Sequence, residues 1–139
     1  MGLKSAPRYI NKLSNKIHRG FDETPVIKDI SPAEGRVLYY LLDKNEPVFQ
    51  KDIEEEFSVR PSSATNILKK MENDDLIKRV PVETDGRLKR IIVTDRGLSY
   101  KAQVNEKLRA MEHAIVKDIS DEDMEVFYRV VEQMLKNMP

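Results

Sequence analysis

Two clusters of polar side chains stand out in this 139-residue sequence because a hydrophobic core has no use for them. In "PSSATNILKKMEN", residues 61–73, helical spacing gathers Ser62, Asn66, Lys69 and Asn73 along one side, with Thr65 and Lys70 beside them. In "VPVETDGRLKRIIVTDRG", residues 80–97, Arg87 sits at a turn and Lys89 and Arg90 follow directly behind. Short hydroxyls, a carboxamide and fixed cations are the groups that bond phosphate oxygens and the donor and acceptor edges of bases. Asn66 can bond adenine at two points, and Lys69 can reach guanine or a phosphate. Ser62, Ser63 and Thr65 carry hydroxyls short enough to hold phosphate oxygens near a helix start. Arg87 can enter a narrow minor groove, with Lys89 and Arg90 near the backbone, although strand alternation lets only one of those two face the duplex. A solvated helix face accounts for the helical residues taken alone, and the basic hairpin behind them favours the recognition reading.

The elements that must carry these groups are marked by local signals. Leu3, Ala6, Ile10, Leu13 and Ile17 recur at steps of three and four, which predicts a first helix over about Leu3 to Arg19. Pro25 breaks it. "SPAEGRVLYYLL" opens a second helix with Ser31 as N-cap, Pro32 at the first helical position and Glu34 completing a capping box. "FQKDIEEEF" reads as a short third helix, and Pro61 opens the fourth, whose Ala64, Ile67, Leu68 and Met71 form its buried stripe. "LIKRVPVE" and "RLKRIIVT" read as two strands joined by a Thr84-Asp85-Gly86 turn. Thr94 caps a predicted long helix reaching about Lys117, and Ser120 caps the last, in which Met124, Phe127, Val131, Met134 and Met138 keep helical step.

The expected fold is therefore mainly α with a small β-hairpin wing. A winged helix-turn-helix part spans 30–97, flanked by N- and C-terminal dimerisation helices over 3–21 and 98–138, all in one domain, 1–139. The terminal seams are too apolar to leave in water, so a homodimer is expected to bury them.

Composition limits the chemistry further. There is no Cys, which removes disulfides, thiolate nucleophiles and Cys-based zinc sites. His18 and His113 stand on different helices without adjoining ligands, so no metal is expected. No Gly-rich phosphate loop or nucleophile–base spacing is present, and neither enzyme activity nor a cofactor is expected. No stretch has the length and apolarity of a membrane span or secretory signal, and a cytosolic protein without membrane attachment is expected. The net charge of zero conceals an uneven distribution: +5 over 1–19, −6 over 20–57, +3 over 58–96 and −2 over 97–139. The basic row Lys4, Arg8, Lys12 and Lys16 either keeps the outside of a dimer stalk soluble or adds general attraction to a polyanion.

"DGRLKRIIVT", Asp85 to Thr94, resembles the wing signature of the MarR family of transcriptional regulators, with Val93 in the place of a Leu. "SPAEGRVLYYL", "QKDIEEEFSVRPSSATNILKKMENDDLIKR" and "TDRG" follow that family's order and spacing, so the resemblance covers Ile30 to Gly97. Two positions depart from it: Phe49 stands where Thr or Ser commonly caps a helix, and Ser58 where Gly is common in the turn. The resemblance implies a homodimer that binds a pseudo-palindromic stretch of double-stranded DNA and regulates transcription, most often as a repressor. It implies that Asp85 and Gly86 shape the wing, Asp85 pairing with an arginine, for which Arg79 is the partner within the chain; an ordinary turn aspartate is the other reading. It also implies a small-molecule effector, anionic and aromatic or lipophilic, bound near Phe21, Tyr39 and Met111, residues that an ordinary core explains as well. The rival is a winged-helix module that binds protein and no DNA, against which the wing arginine beside a polar helix face argues.

Overall fold

The computed structural model describes residues 4–23 and 27–139, apart from the side chains of residues 21–23 and 85. Its elements run α1 (Ala6–Glu23), α2 (Pro32–Leu42), α3 (Gln50–Phe57), α4 (Pro61–Asn73), β1 (Ile77–Val82), β2 (Asp85–Val93), α5 (Asp95–Ser99), α6 (Lys101–Ile115) and α7 (Asp121–Asn137). They form two compact units, residues 1–106 and 107–139. The first helix starts and ends later than its periodicity predicts, and Leu3 lies outside the described residues.

Within the first unit the local signals translate directly into structure. The Ser31 hydroxyl accepts from the Glu34 N–H at 3.2 Å, and the Glu34 carboxylate accepts from the Ser31 N–H at 3.0 Å. Two donors that a helix start would leave unmet are thus satisfied. At α3, Phe49 has no side-chain acceptor, so the box is half made: the Asp52 carboxylate accepts from the Phe49 N–H at 2.8 Å. Ser58 closes α3 in the left-handed region (φ 49°, ψ 48°), with the Val59 N–H reaching back to the Glu54 carbonyl at 3.1 Å. Asp75 (φ 58°) closes α4 likewise, with Leu76 N–H to Met71 carbonyl at 2.9 Å. Both are Schellman-type ends made without glycine, and they turn the chain sharply on either side of α4.

Ala64, Leu68 and Met71 on α4 are fully buried, as are Leu38 of α2 and Ile53 of α3 at 1% exposure or less. Leu76, Ile77 and Ile91 carry the same core under the hairpin. β1 and β2 pair antiparallel, and the Ile91 N–H also bonds the Val48 carbonyl at 2.8 Å, which ties the wing to the segment entering α3. The hairpin turn is Glu83-Thr84, one residue earlier than turn chemistry suggests, and Asp85 and Gly86 belong to β2.

The helix expected after Thr94 is two: α5 ends at Ser99 with Tyr100 (φ −90°, ψ −3°) as its C-cap, and α6 begins at Lys101. Thr94 is a cap as expected, its hydroxyl accepting from the Gly97 N–H at 3.0 Å while donating to the Asp75 carbonyl at 2.6 Å. Gly97 is required by space. A Cβ there would collide with the Leu76 carbonyl oxygen and lie 2.6 Å from the Val93 Cγ1. In the second unit, Ser120 caps α7 by accepting from the Asp123 N–H at 3.1 Å, and acids fill the first turn where the helix dipole favours them.

Candidate nucleic-acid interface

The two-sidedness of α4 positions the candidate groups. With Ala64, Leu68 and Met71 locked inward, helical geometry sends Ser62, Ser63, Asn66 and Lys69 outward, and all four are exposed. Pro61 occupies the first helical position, where a missing N–H is harmless. Thr65 is half-buried. Its hydroxyl accepts from the Gln50 amide at 2.9 Å, so it joins α4 to α3 as well as edging the polar face.

Lys70 turns toward the body of the unit. Its ammonium lies 2.9 Å from the Glu34 carboxylate and 2.9 Å from that of Asp74. Glu34 is fully buried, and a buried carboxylate demands partners; the Ser31 N–H and Lys70 supply them, both at Oε1. The hydrogen bonds to Glu34 and then Asp74 push the Lys70 pKa up, while bonding to Glu34 and then to Lys70 pulls the Asp74 carboxyl down. Lys70 therefore ties α4 to α2, its amine engaged by these two carboxylates.

The wing gains its shape from a register shift. Pro81 pairs with Lys89 while Val82 pairs with Asp85, so the β1–β2 register shifts across the stretch that holds Gly86, Arg87 and Leu88. Such a bulge re-aims the strand, and here it carries Arg87, which is exposed. Gly86 does not have a positive φ, and a Cβ there would meet nothing within 4 Å, so neither backbone angle nor space requires glycine at that position. The side chain of Asp85, with its expected arginine pairing, lies outside the described residues.

Arg79 is nonetheless engaged. Its Nε donates to Glu72 at 2.9 Å, its Nη2 lies 2.7 Å from the same carboxylate, and its Nη1 donates to Gln50 at 3.3 Å. Because Arg79 pairs with Ile91 and Pro81 with Lys89, alternation puts Lys89 on the same face as Arg79 and buried Ile91. Arg90 points from the opposite face, where it lines a cleft of about 230 Å³ with Lys44 and Lys101. Of the two cations, Lys89 shares the helix-facing side and Arg90 does not.

Sequence reading missed Gln50, Glu72 and the tie between Glu34 and Lys70. The one available signal is that an Arg on the inner face of a strand needs an acid, and Glu72 lies seven residues before Arg79.

A second concavity, about 270 Å³ and mostly apolar, is lined by His18 of α1, Arg36 and Val37 of α2, Phe57 of α3, and Ser63 and Ile67 of α4. This is not where Tyr39 and Met111 were expected to frame a pocket, and the Phe21 side chain lies outside the described residues. Among the described residues there is no cluster of metal-ligating groups and no helix long and apolar enough to cross a membrane.

A family model described as the MarR family matches residues 28–88. Among solved structures, the chain is similar to the transcription regulator MarR from Oenococcus oeni PSU-1, with 24% identity, 95% of this chain and 99% of that one covered, and a TM-score of 0.82. The S. aureus MepR–DNA complex matches at 22% identity over 99% and 100% of the two chains, with a TM-score of 0.84. The Streptomyces coelicolor regulator PcaV in complex with its natural ligand matches at 16% identity over 98% of each chain, with a TM-score of 0.75. No curated protein matches the chain.

Proposed function

We propose that this chain, whose residues 28–88 match the MarR family model, binds double-stranded DNA and regulates transcription, acting as a homodimeric repressor. The observation that carries this reading is the pairing of an exposed polar face on α4 with a bulged, exposed Arg87 on the wing. A helix of this kind reads the major groove through Asn66 and Lys69, with Ser62 and Ser63 bonding phosphates near its start. Arg87 enters the adjacent minor groove and Lys89 meets the backbone between them.

Two-fold symmetry supplies the rest. Tyr9, Ile10 and Leu13 on α1 are 60%, 50% and 45% exposed, and α7 has no buried residue while leaving Val126, Phe127, Val130 and Leu135 at 42% exposure or more. Such apolar faces are what an obligate partner covers. A second copy covering them sets two α4 helices about 34 Å apart, in successive major grooves of a pseudo-palindromic site.

The apolar cavity beneath α4 supports an effector reading. His18 and Arg36 give it two basic groups, which suits an anionic aromatic compound, and Ser63 and Ile67 place its wall on the recognition helix itself. PcaV, described with its natural ligand, offers a parallel on the same fold.

The test is selection of bound duplexes from random and genomic DNA, followed by titration across salt concentrations. Selective binding is expected, with affinity falling steeply as salt rises because counterions leave the phosphates. A protein that retains no duplex selectively, or whose binding ignores salt, is a winged-helix module for protein partners instead.

A further inference from the structure

The amide of Gln50 joins the two DNA-reading elements. Its Nε2 donates to the Thr65 hydroxyl at 2.9 Å and to the Pro61 carbonyl at 3.3 Å, both in the first half of α4. Its Oε1 accepts from Arg79 Nη1 at 3.3 Å, on the strand that carries the wing. Arg79 then returns to α4 through Glu72, at 2.9 Å from Nε and 2.7 Å from Nη2. The loop is closed: α3 to both the start and, through Arg79, the end of α4, with the root of the wing in the middle. Arg79 is only 20% exposed at its side chain, so the ion pair is shielded and its planar fork fixes orientation as well as distance.

We propose that Gln50, Arg79 and Glu72 form a positioning brace that sets the spacing between α4 and Arg87, and that Gln50 thereby determines sequence selectivity without touching DNA. This rests on the DNA reading above. Helix and wing enter neighbouring grooves at once only if their separation matches the duplex, and a site performs only when its supporting shell holds it within about 0.5 Å of the productive geometry. The shared core under the hairpin gives stability. The brace adds direction, because every polar atom it uses lies on the side of β1 that faces α3 and α4.

The test uses the full chain, the duplex it selects and a scrambled duplex of equal length. Gln50→Met and Arg79→Lys keep the charge of the residue they replace, so neither alters the general attraction to phosphate. Each is expected to weaken binding to the selected duplex about tenfold, the scale of one charge-assisted hydrogen bond, while scrambled-duplex affinity, salt slope and thermal midpoint hold. In either background Arg87→Ala should cost far less than in the wild type, and hydroxyl-radical protection at the wing's minor groove should fade while protection under α4 persists. If the wild type selects a duplex but both variants keep full selectivity and the full Arg87 effect, the brace is overturned and the DNA reading stands. Equal losses on both duplexes, or a collapsed thermal midpoint, reduce the three residues to general scaffolding and also overturn it. A wild type that selects no duplex removes the DNA reading and the brace together.

Discussion

Helices α4 and α7 are built from similar materials and end in opposite conditions. Both are amphipathic, and both have defined starts, Pro61 at the first helical position in one and Ser120 as cap in the other. Yet α4 buries Ala64, Leu68 and Met71 completely, whereas α7 has no buried residue and exposes Phe127 at 46% and Leu135 at 64%. A helix whose apolar stripe is satisfied within its own chain has only its polar face to offer a partner. One whose stripe is open has an apolar surface to offer. Under the proposed function the first partner is a polyanion and the second another copy of the chain.

The largest test of this contrast is truncation of the two stripes. Leu68→Ala should destabilise the folded chain by about 2 to 5 kcal/mol, since it removes buried methyl groups and leaves a cavity. Phe127→Ala should leave the chain folded and instead shift the monomer–dimer balance, read by light scattering across concentrations. Equal effects of the two on thermal unfolding, with no change in association, would break the comparison.

The next test concerns how tightly the wing's far end is seated. Gly97→Ala forces a methyl group against the Leu76 carbonyl oxygen and Val93, and the Leu76 side cannot yield without moving the backbone that leaves α4. A loss of roughly 1 to 3 kcal/mol in chemical denaturation is expected, typical of overpacking. A neutral result would mean that α5 slides freely on the hairpin.

A third test separates specific from general contacts. Arg87→Ala is expected to cost roughly 1 to 3 kcal/mol in binding to a selected duplex without affecting folding, whereas Lys89→Ala should weaken all duplexes alike and lower the salt slope by about one. Because Arg90 faces away from α4, Arg90→Ala should do less than Lys89→Ala, and the reverse order would invalidate the strand-face assignment.

What the sequence made legible was whatever is decided locally. Ser31, Pro32 and Glu34 announce α2, the spacing of Ala64, Leu68 and Met71 announces the inward side of α4, and Ser120 announces α7. What stayed hidden depends on residues far apart in the chain. Gln50 meets Thr65 across 15 positions and Arg79 across 29, and Lys70 meets Glu34 across 36. No periodicity marks such pairs, which is why Lys70 read as one more cation on a polar face. The hairpin erred by one residue for a related reason: Asp85-Gly86 has good turn chemistry, but the bulge takes both into the strand.

The smallest expected effect probes that hidden tether of α4, and its sign follows from the shifted groups. The Asp74 carboxyl is held below its ordinary value, first by bonding to Glu34 and then by Lys70. A depressed folded-state pKa contributes stability that is present above the ordinary carboxylate range and is lost as pH falls through the folded value. Lys70 is shifted up, so its share is present below the ordinary lysine pKa and lost only in strong alkali. The Lys70–Asp74 pair is therefore complete between about pH 5 and 9 and loosens on acidification. Solvent reaches both groups and screens them, which keeps the effect modest. Between about pH 6 and pH 3, the wild-type thermal midpoint should fall slightly more than that of Asp74→Asn, whose amide does not titrate. Parallel curves would show that Asp74 adds nothing to the hold on α4, leaving its apolar stripe and the Lys70–Glu34 and Arg79–Glu72 pairs to seat it. Its difference from α7 would then owe nothing to the carboxylate at its far end.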